Sequence, residues 1–171
     1  NQIGIVTHKL NPKNIKIAQR EALMWGTIQQ DAINFGNILH EIMAFIHTKE
    51  DVDLAIQKAT ELGLITFSQH QIFKETIAKI VNHEELISFF DADAKVFNEQ
   101  NIIKKTFKNI KPDRVVVKDN MAYLLDYKTG EKHNKHKAQL EEYELALQEM
   151  KYTVAKKALI YIGESIEIVT L

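Results

Sequence analysis

The sequence predicts an α/β domain: a helical first half, then three strands, a long helix and two closing strands. Three observations carry that prediction. Apolar residues recur every three to four positions through much of residues 31–90. The texture then changes to β-branched and aromatic residues over 95–128. A second helical pattern at Lys135–Met150 is followed by two short β-rich runs.

From Asp31 to about Lys49, the residues Ile33, Phe35, Ile38, Leu39, Ile42, Met43, Phe45 and Ile46 follow helical spacing. A second helix is expected over Asp51–Leu62, with Gly63 as its stop. Ser68 is a candidate cap for a third, running through Ile72, Phe73, Ile77 and Ile80 to about Val81, and a short helix is expected near Glu84–Phe90. Strands are expected over Lys95–Ile103, Phe107–Lys118 and Met121–Lys128, the last two joined at Asp119-Asn120. Gly130 and the run EKHNKHK end the third strand. The Lys135–Met150 helix puts Leu140, Tyr143, Leu147 and Met150 on one side, and Ala158–Ile162 and Ile166–Leu171 close the chain around Gly163-Glu164. With no repeat, low-complexity tract or Gly/Ser-rich linker, residues 1–171 read as one domain. Its helical portion covers about 31–90 and its α/β core 94–171.

A chain of 171 residues can bury a full core, and 45% hydrophobic with 26% charged residues is the content of a soluble globular protein. The net charge of −1 neither marks nor excludes a nucleic-acid partner, so phosphate affinity has to come from local Lys and Arg. The absence of cysteine excludes disulfides, thiolate zinc sites, cysteine nucleophiles and Cys-ligated iron–sulfur clusters. It fits a reducing compartment such as the cytoplasm. NQIGIVTHKL lacks the basic and apolar regions of a signal peptide, and no apolar run approaches the roughly 20 residues of a membrane span. A start at Asn rather than Met is expected of a fragment of a longer polypeptide or of a processed terminus.

The most informative stretch is KPDRVVVKDNMAYLLDYKTG, residues 111–130. Asp and Asn tolerate the positive φ angles of a tight hairpin turn. A two-residue turn at Asp119-Asn120 pairs Lys118 with Met121 and Val116 with Tyr123, and sets Asp113 opposite Asp126. Like charges on directly opposed residues are destabilising and call for protonation, solvent or a cation. A hard divalent ion such as Mg²⁺ or Mn²⁺ prefers such oxygen ligands. Lys128 shares a strand face with Asp126. Two carboxylates and an ammonium at one spot suit phosphodiester hydrolysis, in which Lys128 orients water or stabilises developing charge. A PD followed at a distance by DxK also occurs by accident on ordinary exposed hairpins, so further residues matter.

His40, in FGNILHEIMA, lies one turn after Gly36. It is either an ordinary partly buried histidine or an imidazole ligand, with Gly36 allowing a close approach of another backbone or of DNA. Gln139 and Tyr143 share a helix face and read either as surface and core or as groups that hold a DNA strand or the attacking water. Two basic clusters flank the hairpin: Lys132, His133, Lys135, His136 and Lys137 after it, and Lys104, Lys105, Lys108, Lys111 and Arg114 before and at its start. They are solvated surface or a track for phosphates. His133 and His136 have no partnering carboxylate beyond Glu131.

Taken in order, GNILH, Glu99 in VFNEQNI, KPDRVVV, LLDYKTG and QLEEYELAL resemble the RecB-type branch of the PD-(D/E)XK nuclease superfamily over about residues 33–147. The resemblance implies a restriction-endonuclease-like core, a mixed sheet flanked by helices in α-β-β-β-α-β order. It implies that His40, Asp113, Asp126 and the backbone carbonyl of Tyr127 bind Mg²⁺ or Mn²⁺ and that Lys128 is the catalytic lysine. Gln139 and Tyr143 then correspond to the motif that binds DNA and orders the site, and Glu99 to an acidic first-strand position of less settled role. The absence of cysteine sets this chain beside the cluster-free RecB and AddA nuclease domains. The function implied is a DNA exonuclease or endonuclease on single strands or duplex ends, coupled to a helicase motor in double-strand break repair and recombination. The alternatives are a catalytically silent nuclease-fold module for binding or scaffolding, and a stand-alone restriction or repair endonuclease.

Overall fold

The computed structural model describes residues 33–103, 109–163 and 165–171. The first described element is helix α1 over 33–43. Helices α2 (Val52–Glu61) and α3 (His70–Val81) follow, each entered through a short 3₁₀ turn, and a third 3₁₀ segment covers Glu84–Phe89. The strands are β1 (Lys95–Asn98), β2 (Ile102–Ile103), β3 (Asn109–Ile110), β4 (Arg114–Lys118), β5 (Met121–Thr129), β6 (Thr153–Ile162) and β7 (Ile166–Thr170), with helix α4 (Asn134–Glu149) between β5 and β6. The predicted class is therefore observed: an α/β domain with a mixed sheet flanked by helices and an N-terminal helical portion.

Five strands form the sheet in the order β1-β4-β5-β6-β7. Every pairing in it is antiparallel except β5 with β6, which is parallel. A parallel pair needs a crossover connection, and α4 provides it. The side-chain alternation along β5 divides the core. Leu125 and Tyr127 join the cluster built on Leu39, Ile42, Phe73, Ile77 and Phe89 from the helical portion. Ala122 and Leu124 join Leu140, Tyr143 and Leu147 of α4. The sheet thus lies between two helical layers, and successive residues of β5 address opposite layers.

Several boundaries differ from the sequence expectation for identifiable reasons. The first described helix ends at residue 43, short of Lys49, and its predicted start at Asp31 lies outside the described residues. Thr66, rather than Ser68, leads into α3, because Thr66 and Gln69 form a capping box around the 3₁₀ turn. The expected strand Lys95–Ile103 breaks at Glu99, whose φ of 54° is left-handed, and its far end becomes β2, paired with β3 in a separate ribbon. Pro112 interrupts the next one; with no N–H it cannot continue a ladder between β3 and β4. Residues 104–108, the last two of which begin the second predicted strand, and Glu164 of the predicted closing turn are outside the described residues. Met150 lies beyond the end of α4 and is half exposed.

Candidate active site

The hairpin turn has the predicted chemistry. Asp119 and Asn120 adopt φ angles of 49° and 65°, and Asn120 Nδ2 donates to the Lys151 carbonyl at 3.0 Å. The register follows: Lys118 pairs with Met121, Val116 with Tyr123, and Arg114 with Leu125. One step further on, Asp113 and Asp126 face each other at the end of the ladder. Asp113 Oδ2 accepts from the backbone N–H of Tyr127 at 2.7 Å, which ties its carboxylate to β5 beside Asp126.

Asp126 is 1% exposed and forms an ion pair with Lys128, yet neither of its oxygens has a partner in hydrogen-bonding geometry among the described residues. Lys128 Nζ donates to Gln139 Oε1 at 2.9 Å. Gln139 Nε2 in turn donates to Tyr143 Oη at 2.5 Å, and Tyr143 Oη donates to the Lys111 carbonyl at 3.3 Å. Gln139 and Tyr143 thus complete a polar chain from Lys128 on β5 through α4 and back to the approach of β4. Tyr143 also packs in the apolar cluster, so it has both roles at once.

His40 arrives from the opposite layer. Its Nε2 lies 2.8 Å from Glu99 Oε1 and 3.3 Å from Asp113 Oδ1, aligned as a hydrogen bond with neither. Glu99 also pairs with Lys111. Among the described residues His40, Glu99 and Asp113 form a group with one ligand atom each, all within 4.8 Å of one another. The left-handed backbone of Glu99, a conformation that costs a non-glycine residue about 1 kcal/mol or more, ends β1 at the place where its carboxylate meets His40. Tyr127 is buried with its ring 5.6 Å from that of His40, and its hydroxyl has no hydrogen-bond partner among the described residues.

Gly36 explains how α1 comes this close. A Cβ built there would overlap Thr129 Cγ2 at the end of β5 and lie 3.4 Å from Ile162 Cγ2. The close approach allowed by this glycine is therefore the seating of α1 on the sheet, one turn ahead of His40.

The electrostatics follow from crowding. Burial, and then the charge of Asp113, push the Asp126 carboxyl up to about 7 against the opposing pull of Lys128. Burial pushes Asp113 upward too, but contact with His40, the Tyr127 N–H and the charge of Lys128 outweigh it and hold Asp113 below the usual carboxylate range. His40 is raised by its proximity to Asp113, against burial, with Glu99 and Asp126 adding to the rise. Burial and the nearby Asp126 push Tyr143 up to about 12. Two facing carboxylates with separated proton affinities and orphaned buried oxygens form a set suited to a hard divalent cation.

The basic clusters are only partly surface. Arg114 is 1% exposed and donates to the carbonyls of Phe89, Ile46 and His47 and to Asn98 Oδ1, so it does not belong to a phosphate track. An arginine at the head of the β-branched run RVVVK was the available signal for burial, and the first three residues of that strand are all buried. His136 is buried too, with Nδ1 3.2 Å from Tyr161 Oη, while Lys132 pairs with Glu167. Lys135, Lys137 and His133 are exposed at the start of α4. Lys104, Lys105 and Lys108 lie outside the described residues.

Among the described residues no helix is long and apolar enough to cross a membrane. No family model and no curated protein matches the chain. Among solved structures, the crystal structure of SSO0001 matches with a TM-score of 0.35 and 19% identity over 75% of this chain. The chain spans 65% of the length of that protein, and the match is too loose to assign a family.

Proposed function

We propose that this chain is a divalent-metal-dependent deoxyribonuclease, the nuclease module of a helicase-nuclease that processes DNA ends or single strands. The observation that carries the reading is the convergence of His40, Asp113, Asp126 and Lys128 at one end of the sheet, with the buried oxygens of Asp126 left without hydrogen-bond partners among the described residues. The order of the core elements, helix, β1-β4-β5, α4, β6, supports it as well, being the order that the RecB-type resemblance implies.

The ligand atoms that lie within 4.8 Å of one another are those of His40, Glu99 and Asp113, and a Mg²⁺ or Mn²⁺ ion would be held there, with Asp126 and the Tyr127 carbonyl on the adjoining strand as the further ligands this reading assigns. Such an ion supplies Lewis-acid neutralisation of phosphate charge and a lowered pKa for water. The remaining work falls to the chain. Lys128 presents a fixed ammonium to the charge that develops on the phosphorus oxygens. Gln139, held by Tyr143, fixes that ammonium before substrate arrives, so little reorganisation is needed at the reacting centre. The left-handed turn at Glu99 and the tie between Asp113 and the Tyr127 N–H keep the acidic groups at a set separation. The complete set of acidic, imidazole and ammonium groups favours catalysis over a silent binding module.

The test is cleavage of end-labelled single-stranded DNA in Mg²⁺ or Mn²⁺ by the wild type, Asp126→Ala and Lys128→Ala. The wild type is expected to cleave and both variants to fail while remaining folded by circular dichroism. Equal products from all three folded proteins would refute the catalytic assignment. A duplex with a blunt end in a parallel reaction separates end-processing from single-strand cutting.

A further inference from the structure

His40, Glu99 and Asp113 come from three elements that have no covalent reason to keep their spacing. Residues Asn98 and Arg114, each next to one of the two acidic groups, supply a physical one. They are partners in the β1–β4 ladder, so Glu99 and Asp113 leave the sheet from adjacent places. Asn98 Nδ2 donates to the carbonyls of Ala44 at 3.0 Å and Ile46 at 2.9 Å. Arg114 Nη1 donates to the Ile46 carbonyl at 2.6 Å and to Asn98 Oδ1 at 3.1 Å, and its Nη2 donates to the His47 carbonyl at 2.5 Å. Its Nε donates to the Phe89 carbonyl at 2.9 Å, and the guanidinium carbon lies 4.3 Å from the centre of the Phe90 ring.

The carbonyls of Ala44, Ile46 and His47 follow the C-terminal end of α1, the end that carries partial negative charge, whereas the Phe89 carbonyl belongs to the 3₁₀ segment Glu84–Phe89. Two of the four hydrogen bonds of the buried Arg114 cation go to the segment that leaves α1, to Ile46 and His47. Ala44 is one turn from His40, and its N–H donates to the His40 carbonyl at 3.2 Å. The path from clamp to ligand is therefore one helical turn on one side and one residue on the other.

We infer that Asn98 and Arg114 are positioning residues for the candidate site, a clamp that fixes the end of α1 to the β1–β4 pair and so sets the distance at which His40 meets Glu99 and Asp113. This rests on the divalent-metal reading for its functional consequence, but not for its geometry. The two residues touch no substrate. They act through His40, and their removal changes how well three ligands converge rather than which ligands exist. Loss of groups that orient metal ligands costs about 10–100-fold in metal affinity.

The test uses the whole chain and the variants Asn98→Ala, Arg114→Lys and Arg114→Met, with Asp113→Asn as a control for direct ligand loss. Two quantities are measured on folded protein: Mn²⁺ affinity by calorimetry, and, without metal, the NMR cross-peak between the rings of His40 and Tyr127, whose centres are 5.6 Å apart. Asn98→Ala removes the smaller half of the clamp and is expected to fold, to lose about tenfold in Mn²⁺ affinity, and to weaken the ring-to-ring cross-peak. Arg114→Lys should retain more affinity than Arg114→Met. If Asn98→Ala unfolds earlier but keeps wild-type Mn²⁺ affinity and an unchanged cross-peak, the clamp is only structural and the inference is overturned. If the wild type binds no Mn²⁺, the metal reading fails, and the cross-peak alone decides whether Asn98 and Arg114 position His40.

Discussion

Gly36 is the place where one added methyl group is expected to do measurable harm. A Cβ there overlaps Thr129 Cγ2 and lies 3.4 Å from both Thr129 Cβ and Ile162 Cγ2. Two effects oppose each other. Replacing a helical glycine by alanine gains about 1 kcal/mol of helix propensity. Forcing a methyl into a filled space costs about 1–3 kcal/mol, and the upper part of that range applies because a β-branched threonine cannot easily turn its methyl away. The net expectation for Gly36→Ala is a loss of about 1–2 kcal/mol. The clashing atom is the methyl that serine lacks, so Thr129→Ser should relieve it. Urea unfolding of the wild type, both single variants and the double variant gives the coupling directly. The double variant is expected to recover most of the loss, with a coupling of about 1–2 kcal/mol. If Gly36→Ala is as stable as the wild type, or if the two changes simply add, the seating of α1 against Thr129 has been misjudged.

Other expectations concern the site itself. Lys128→Ala should lower single-turnover DNA cleavage by about 10²–10³-fold while the far-ultraviolet circular dichroism is retained. In metal-free protein, the raised Asp126 and His40 mean that the native state holds protons the unfolded chain has released. Stability then falls as pH rises, from about 4 to about 7 for Asp126 and above about 6.5 for His40, whereas the lowered Asp113 reduces stability only as pH falls below about 4. On these three groups, urea midpoints without metal should therefore be highest near pH 4 and decline towards neutral pH; a steady climb to pH 8 would contradict this. Asp126→Asn should flatten the decline towards neutral pH and raise the midpoint at pH 8, at the expense of cleavage. Asp119→Val places a β-branched residue at a φ of 49° and should cost about 1–2 kcal/mol in thermal unfolding; an unchanged melting temperature would argue against the tight two-residue turn.

The part of the site that was legible in the sequence is the part governed by local rules. Asp-Asn fixes the hairpin turn, the turn fixes the register, and the register brings Asp113 to Asp126 while the period of two aligns Lys128. Helical spacing likewise put Gln139 and Tyr143 on one face. Position alone could not say that this face would meet Lys128, because the β5–α4 connection fixes that only through packing of the whole layer. His40 was undecidable for the same reason, since its approach depends on Gly36 meeting Thr129 some ninety residues later. Arg114 reads as one charge of a basic cluster in the sequence, yet it is buried, because its guanidinium finds four oxygen acceptors in the helical portion and on β1. Val115 packs in the cluster on the α4 side, and Arg114, its neighbour on β4, turns the other way into the helical portion. Glu99 was obscured because nothing in VFNEQNI announces a left-handed residue, a conformation more usual for glycine or asparagine.

The division of the core into two layers on one sheet has a consequence for how this protein can fail. His40 reports on the helical layer and Gln139 with Tyr143 on α4, while the acidic pair belongs to neither alone. An intermediate that has consolidated only one layer would hold either the imidazole or the amide–phenol chain at the acidic pair, never both. Competence for chemistry would then appear at the last step of folding rather than growing in proportion to structure. For the nuclease proposed above, a partly assembled chain would then remain inert towards DNA.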